Sequence, residues 1–153
     1  MSVPEIGMQA PELVLPDQTG QDFELSSLRG TSGALLVFYP FAFSGLCTGE
    51  LMELREEQAT FVDANIQVVA ISCDPRYSLR AWSDQERYDF PLLSDFWPHG
   101  EVSQRYGVFD ARGGKSIRGS FLVDRDGVLQ WSVVNGPGQA RDMGEYKAAV
   151  AAL

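Results

Sequence analysis

The segment Tyr39-Pro-Phe-Ala-Phe-Ser-Gly-Leu-Cys-Thr-Gly-Glu-Leu51 holds the residues best suited to chemistry. An apolar run delivers the chain to Pro40, a short loop follows, and Cys47 falls in the first turn of an expected helix. First-turn amides have no intrahelical acceptor, and the helix dipole places partial positive charge there. Both favour thiolate over thiol, and the thiolate is the nucleophile. Ser44, three residues before Cys47, can turn its hydroxyl toward the sulfur or cap the helix. Pro40 presents no amide donor and can shield the site from water. A plainer reading fits the same residues. A free cysteine is often an inert small hydrophobe, Cys47 shares a helical stripe with Leu51 and Leu54, and Ser44 can be an ordinary cap.

Other chemically equipped residues carry less. Cys73 lies 26 positions after Cys47, so no Cys-x-x-Cys pair exists and ordinary dithiol exchange is disfavoured. His99 has no cysteine or carboxylate cluster at ligand spacing, so no metal is expected there. Its segment, Asp95-Phe-Trp-Pro-His-Gly100, reads as a surface loop or packing element. Gly113-Gly114 reads as a loop, with no following helix to cradle phosphate. Trp131 and Tyr146 read as core or interface.

The elements around these residues follow from their patterning. Leu13–Leu15 and Asp22–Leu25 flank Pro16-Asp-Gln-Thr-Gly20 as a small hairpin. Ala34–Tyr39 and Ile66–Ser72 are nearly all apolar, as strands covered on both faces are. Residues 44 to about 60 read as a helix with Cys47, Leu51, Leu54 and Phe61 on one stripe. Asp74-Pro75 opens another helix, Pro91–Leu93 is a short extended piece, and Val102 and Tyr106 suit a short helix. Ser120–Val123 and Val128–Trp131 flank Asp124-Arg-Asp-Gly127 as a hairpin. A final helix carries Met143, Tyr146, Val150 and Leu153. Helices between the early strands require parallel crossovers, while the late hairpin is antiparallel. The expected architecture is α/β: a mixed central sheet with helices on both faces and an N-terminal β-hairpin, as in the thioredoxin fold.

The 153 residues suit one domain, 1–153. Twelve Lys and Arg against 21 Asp and Glu give a formal net charge of −9, which argues against nucleic acid or an anionic membrane as partner. No basic-then-apolar leader and no run of membrane-spanning length appear, so a cytoplasmic location is expected. There a cysteine is more often reduced than bridged.

The spacing Pro40-x-x-x-Ser44-x-x-Cys47 resembles the signature of the peroxiredoxins, the AhpC/TSA superfamily. Val3–Pro11, Pro91-Leu-Leu-Ser-Asp95 and Arg118-Gly-Ser-Phe-Leu-Val-Asp124 are similar to that family's other blocks, in the same order. Phe41–Leu51 and Asp95–Gly100 most resemble the alkyl hydroperoxide reductase E type of actinobacterial peroxiredoxins. The resemblance implies that Cys47 is the peroxidatic cysteine and becomes a sulfenic acid. It implies that Arg118 is the active-site arginine and that Pro40 and Ser44 complete the site. Ser44 stands where Thr is commoner, keeping the hydroxyl but losing a rotamer-fixing methyl. Glu50 matches an acid that orients the arginine, though an exposed helix charge is its plainer reading. Trp82 matches an aromatic packed near the site, and a core residue would look the same. Arg141 is a weak match to a second arginine; we expect an exposed residue at a helix start.

The resemblance further implies a thiol-dependent peroxidase that reduces hydrogen peroxide, alkyl hydroperoxides or peroxynitrite without a cofactor. Cys73 matches none of the family's resolving positions, and with one helix after the last strand no resolving C-terminal extension is expected. Cys73 is therefore expected to be structural, with bridging to Cys47 as the minority alternative. A one-cysteine cycle needs an external thiol: a low-molecular-weight thiol with a glutaredoxin- or mycoredoxin-like protein, or a thioredoxin-like protein. A homodimer or higher homo-oligomer is implied as well. The rivals are another thiol-disulfide oxidoreductase and a non-catalytic thioredoxin-like binding module.

Overall fold

A computed structural model describes residues 2–153. The N-terminal hairpin pairs β1 (Val14–Pro16) with β2 (Asp22–Glu24), and a 3-10 turn, Leu25–Leu28, follows. Then come β3 (Gly33–Phe38), α1 (Gly45–Glu56), α2 (Gln58–Asp63), β4 (Ile66–Ser72) and α3 (Arg76–Glu86). The second half runs β5 (Leu92–Ser94), α4 (Glu101–Arg105), β6 (Phe109–Asp110), β7 (Lys115–Ser116), β8 (Gly119–Val123), β9 (Leu129–Val134) and α5 (Met143–Ala151).

The central sheet has the order β5-β4-β3-β8-β9. β4 pairs in parallel with β3 and β5, whereas β3–β8 and β8–β9 are antiparallel. The mixed sheet matches the expected crossover pattern. Its two faces follow from alternation along β3: Leu35, Val37 and Tyr39 enter one core cluster, and Ala34, Leu36 and Phe38 enter the other. α1, α2, α3 and α5 cover the first face through Cys47, Leu51, Leu54, Phe61, Leu79, Trp82 and Tyr146. α4 covers the second together with the N-terminal hairpin, through Val102, Tyr106, Leu13 and Leu15.

Two local differences from the sequence reading stand out. The helix expected over 44 to about 60 is two helices, because Glu57 leaves helical geometry at φ −96°, ψ 11°. No proline or glycine marks that break, so the apolar stripe runs through it unaltered. The loop expected around Gly113-Gly114 is the turn of a two-residue-stranded hairpin, β6–β7, held by an ion pair between Lys115 and Asp110 at 3.0 Å. Among the described residues no helix is long and apolar enough to cross a membrane.

Candidate active site

β3 and the first turn of α1 set the position of Cys47. The chain leaves β3 through Tyr39 and Pro40 and turns at Phe43, whose φ of 68° lies in the left-handed region. A bulky residue held there stores conformational strain, which surrounding contacts must outweigh. Those contacts are on hand. The Phe43 ring lies 6.1 Å from Trp82, and Asp74 Oδ2 accepts a hydrogen bond from the Ala42 amide at 2.8 Å. Ser72 Oγ donates to the same carboxylate oxygen at 2.7 Å, which ties the loop to the end of β4.

Ser44 then adopts the extended N-cap conformation, and its hydroxyl accepts the Cys47 amide at 3.4 Å. Of the two roles open to Ser44, the structure uses the cap. The Cys47 side chain is fully buried against Leu51 and Leu54, as its stripe predicts. Arg118 reaches its sulfur from just before β8: Nη2 lies 3.4 Å and Nη1 3.8 Å from Sγ.

The guanidinium is itself held. Glu50 Oε1 lies 3.5 Å from Arg118 Nη1, and Glu50 Oε2 lies 3.2 Å from Arg141 Nε. All three side chains are more than nine-tenths buried. The exposed-charge reading of Glu50 therefore fails, and so does the exposed helix-start reading of Arg141. Arg141 precedes the α5 cap Asp142, but its side chain turns inward across the end of the β3–β8 ladder. It donates to the Gly119 carbonyl at 3.0 Å, to Ser120 Oγ at 2.9 Å and to the Phe38 carbonyl, and its own amide donates to Glu50 Oε2 at 3.0 Å. A guanidinium presents five donors, and these acceptors offset its desolvation. Two cations face one carboxylate, so the cluster holds one uncompensated positive charge. An anion at the Cys47 sulfur, beside Arg118, would balance it.

An open cleft of about 670 Å³ leads to this group. Pro40, Phe41, Leu46, Ile117 and Val134 make its wall largely apolar, with Ser44 and Arg118 among the polar lining. Trp82 is buried and packs on Tyr39 at 5.4 Å and on Tyr88 at 5.1 Å, so it backs the loop that leads to Cys47. The structure thus gathers Cys47, Ser44, Arg118, Glu50 and Arg141, with Pro40 on the cleft wall.

Cys73 is elsewhere. Alternation along β4 sends Val68 and Ala70 to the α1 face and Val69 and Ile71 to the other, and Cys73 follows the second set. Its sulfur lies 3.5 Å from Ser116 Oγ, which joins Ser103 and through it Asp95. Burial pushes the Cys73 thiol pKa up. Both cysteines are free thiols. His99 is a local tie, with its ring nitrogens on the carbonyls of Phe96 and Gly114. The sequence singled out neither Asp74 nor the pair Ser120–Tyr146. They lie far along the chain from the residues they serve, and their types are common.

A family model described as the AhpC/TSA family matches residues 6–132. The chain is similar to alkyl hydroperoxide reductase E of Mycobacterium tuberculosis, 44% identical over 148 residues, which are 97% of each chain. It is 34% identical over 137 residues to a thioredoxin peroxidase of Fasciola hepatica, covering 84% of this chain and 70% of that one. Among solved structures it is similar to the peroxidoxin BcpB of Mycobacterium tuberculosis, with a TM-score of 0.86, 29% identity and 97% of each chain covered.

Proposed function

The chain belongs to the AhpC/TSA family of peroxiredoxins, and on that premise we propose that Cys47 carries the reaction of this thiol-dependent peroxidase. The observation that supports the assignment most is the Arg118 guanidinium held within 3.4 Å of a sulfur in the first turn of α1.

The Cys47 thiolate attacks the terminal oxygen of the peroxide. The S–O bond forms as the O–O bond breaks, the sulfur is oxidised to a sulfenic acid, and the departing alkoxide takes a proton to leave as alcohol, or as water from hydrogen peroxide. Arg118 faces both the sulfur and the charge that moves onto the breaking bond, where a fixed cation contributes most. Glu50 and Arg141 hold Arg118 in place, Ser44 caps the turn, Pro40 limits water, and Trp82 supports the loop.

A peroxide and a reducing thiol are the partners of this activity. In our reading an external thiol attacks the sulfenate, releases water and leaves a mixed disulfide, which a second thiol then reduces. A low-molecular-weight thiol working with a glutaredoxin-like, mycoredoxin-like or thioredoxin-like protein is the proposed reductant. The placement of Cys73 across the sheet supports a cycle without an internal resolving cysteine. The apolar cleft favours alkyl hydroperoxides alongside hydrogen peroxide. We further propose cytoplasmic action and a homo-oligomeric state.

The test is a thiol count. Reduced protein mixed with a slight excess of peroxide should lose one thiol, gain one oxygen atom in mass and react with a sulfenate-trapping reagent. Cys73→Ala should behave the same way and Cys47→Ser should be inert. Peroxide consumption surviving in Cys47→Ser would remove Cys47 from the mechanism. Loss of both thiols to an internal disulfide would make Cys73 a resolving residue.

A further inference from the structure

The hydrogen bonds around Arg141 do not end at the active-site cluster. Ser120 Oγ, which accepts from Arg141 Nη1 at 2.9 Å, lies 2.7 Å from the hydroxyl of Tyr146 on α5. Ser120 is fully buried and Tyr146 is 2% exposed. The Tyr146 ring packs edge-on against Trp131 at 5.8 Å. One chain of contacts therefore runs from α5 to the sulfur: Tyr146, Ser120, Arg141, Glu50, Arg118, Cys47.

We infer that Tyr146 is a positioning residue for peroxide reduction, acting through Ser120 and Arg141 on the Glu50–Arg118 pair. The inference rests on the reading of Cys47 as the peroxidatic cysteine. The other acceptors of the Arg141 side chain are two main-chain carbonyls and the Glu50 carboxylate. The carbonyls are fixed by the sheet. The Ser120 Oγ, by contrast, is placed by a χ1 torsion with three staggered wells, and in the observed one it meets both Arg141 and Tyr146. Tyr146 closes that freedom. Without its hydroxyl, Ser120 can leave Arg141, whose hold on Glu50 loosens in turn. Arg118 takes its orientation from Glu50, so the loss appears as a misplaced cation at the sulfur. Among charges more than nine-tenths buried, small displacements have large effects on rate.

Burial alone would explain a tyrosine packed on Trp131, and Tyr146→Phe separates the two roles because it keeps the ring. The measurement is the second-order rate constant of Cys47 oxidation, followed under single-turnover conditions. Tyr146→Phe should lower it roughly 2- to 10-fold, the range expected from one net hydrogen bond. Ser120→Ala should give the same change, Ser120→Thr should restore much of the rate, and the double variant should be no worse than either single one. An unchanged rate in a folded Tyr146→Phe, or effects that simply add in the double variant, would overturn the inference. If Tyr146→Phe does not fold, the comparison of Ser120→Ala with Ser120→Thr decides. Equal rates in those two would then reject the relay. Failure of the parent reading would look different, since the wild type itself would not lose the Cys47 thiol to peroxide.

Discussion

Arg118 addresses the Cys47 sulfur with both of its terminal nitrogens, Nη2 at 3.4 Å and Nη1 at 3.8 Å, although the two residues are 71 positions apart. The same Nη1 also faces Glu50 at 3.5 Å. The guanidinium is thus shared between a fixed carboxylate and the Cys47 sulfur. Its planar fork suits this geometry and a lysine ammonium does not.

Arg118→Lys should therefore be a poor replacement. The charge stays, but a compact ammonium lacks the planar fork that spans sulfur and Glu50 together. We expect the rate of Cys47 oxidation to fall about 10²- to 10³-fold, as when a preorganised donor is removed from a reacting centre. Stopped-flow measurement with hydrogen peroxide tests this, and a rate within a few-fold of wild type would argue against direct action at the sulfur.

Glu50→Gln should cost stability as well as rate. The carboxylate is the common partner of two buried guanidinium groups, and removing its charge leaves two like charges buried together. Breaking a buried pair in this way typically costs about 3–5 kcal/mol. Urea unfolding monitored by tryptophan fluorescence should show the lowered midpoint.

Ser44→Ala removes the acceptor for the Cys47 amide. The expected loss is about 1 kcal/mol, or a melting temperature lower by roughly 2–4 °C for a chain of this size. Ser44→Thr keeps the oxygen and should hold the melting temperature near wild type. Calorimetry of the three proteins makes the comparison.

Asp95 gives a pH signature on the opposite face of the sheet. Burial raises its carboxyl above the ordinary value of 3.8, and hydrogen bonds from Ser103 and Val102 only partly offset this. The folded state thus binds this proton more tightly than the unfolded state. The associated stability is fully present below 3.8 and is lost as pH rises through the folded-state value. Subtracting the unfolding free energies of Asp95→Asn from those of wild type, pH by pH, isolates the contribution. A flat difference across the acid range would contradict the assignment.

The sequence by itself determined the parts that depend on near neighbours along the chain. Alternation and all-apolar runs marked β3, β4 and β8 within a residue, and β9 with its end three residues short, since strand pairing and burial act directly on consecutive side chains. A proline, a capping hydroxyl and a cysteine at fixed offsets likewise marked the start of α1. The tertiary structure decided which of the remaining residues meet. Arg141 read as an exposed helix-start residue, and Glu50 as either an exposed charge or an acid beside the arginine, until the fold brought positions 91 apart into one buried pair. Cys73 could not be placed relative to Cys47 until the sheet stood between them. The break at Glu57 left no trace in the periodicity, because a one-residue interruption returns the stripe to the same face. Local pattern reports the environment of a side chain only where its neighbours create that environment. A buried charge is satisfied by distant partners, and only the folded chain specifies those.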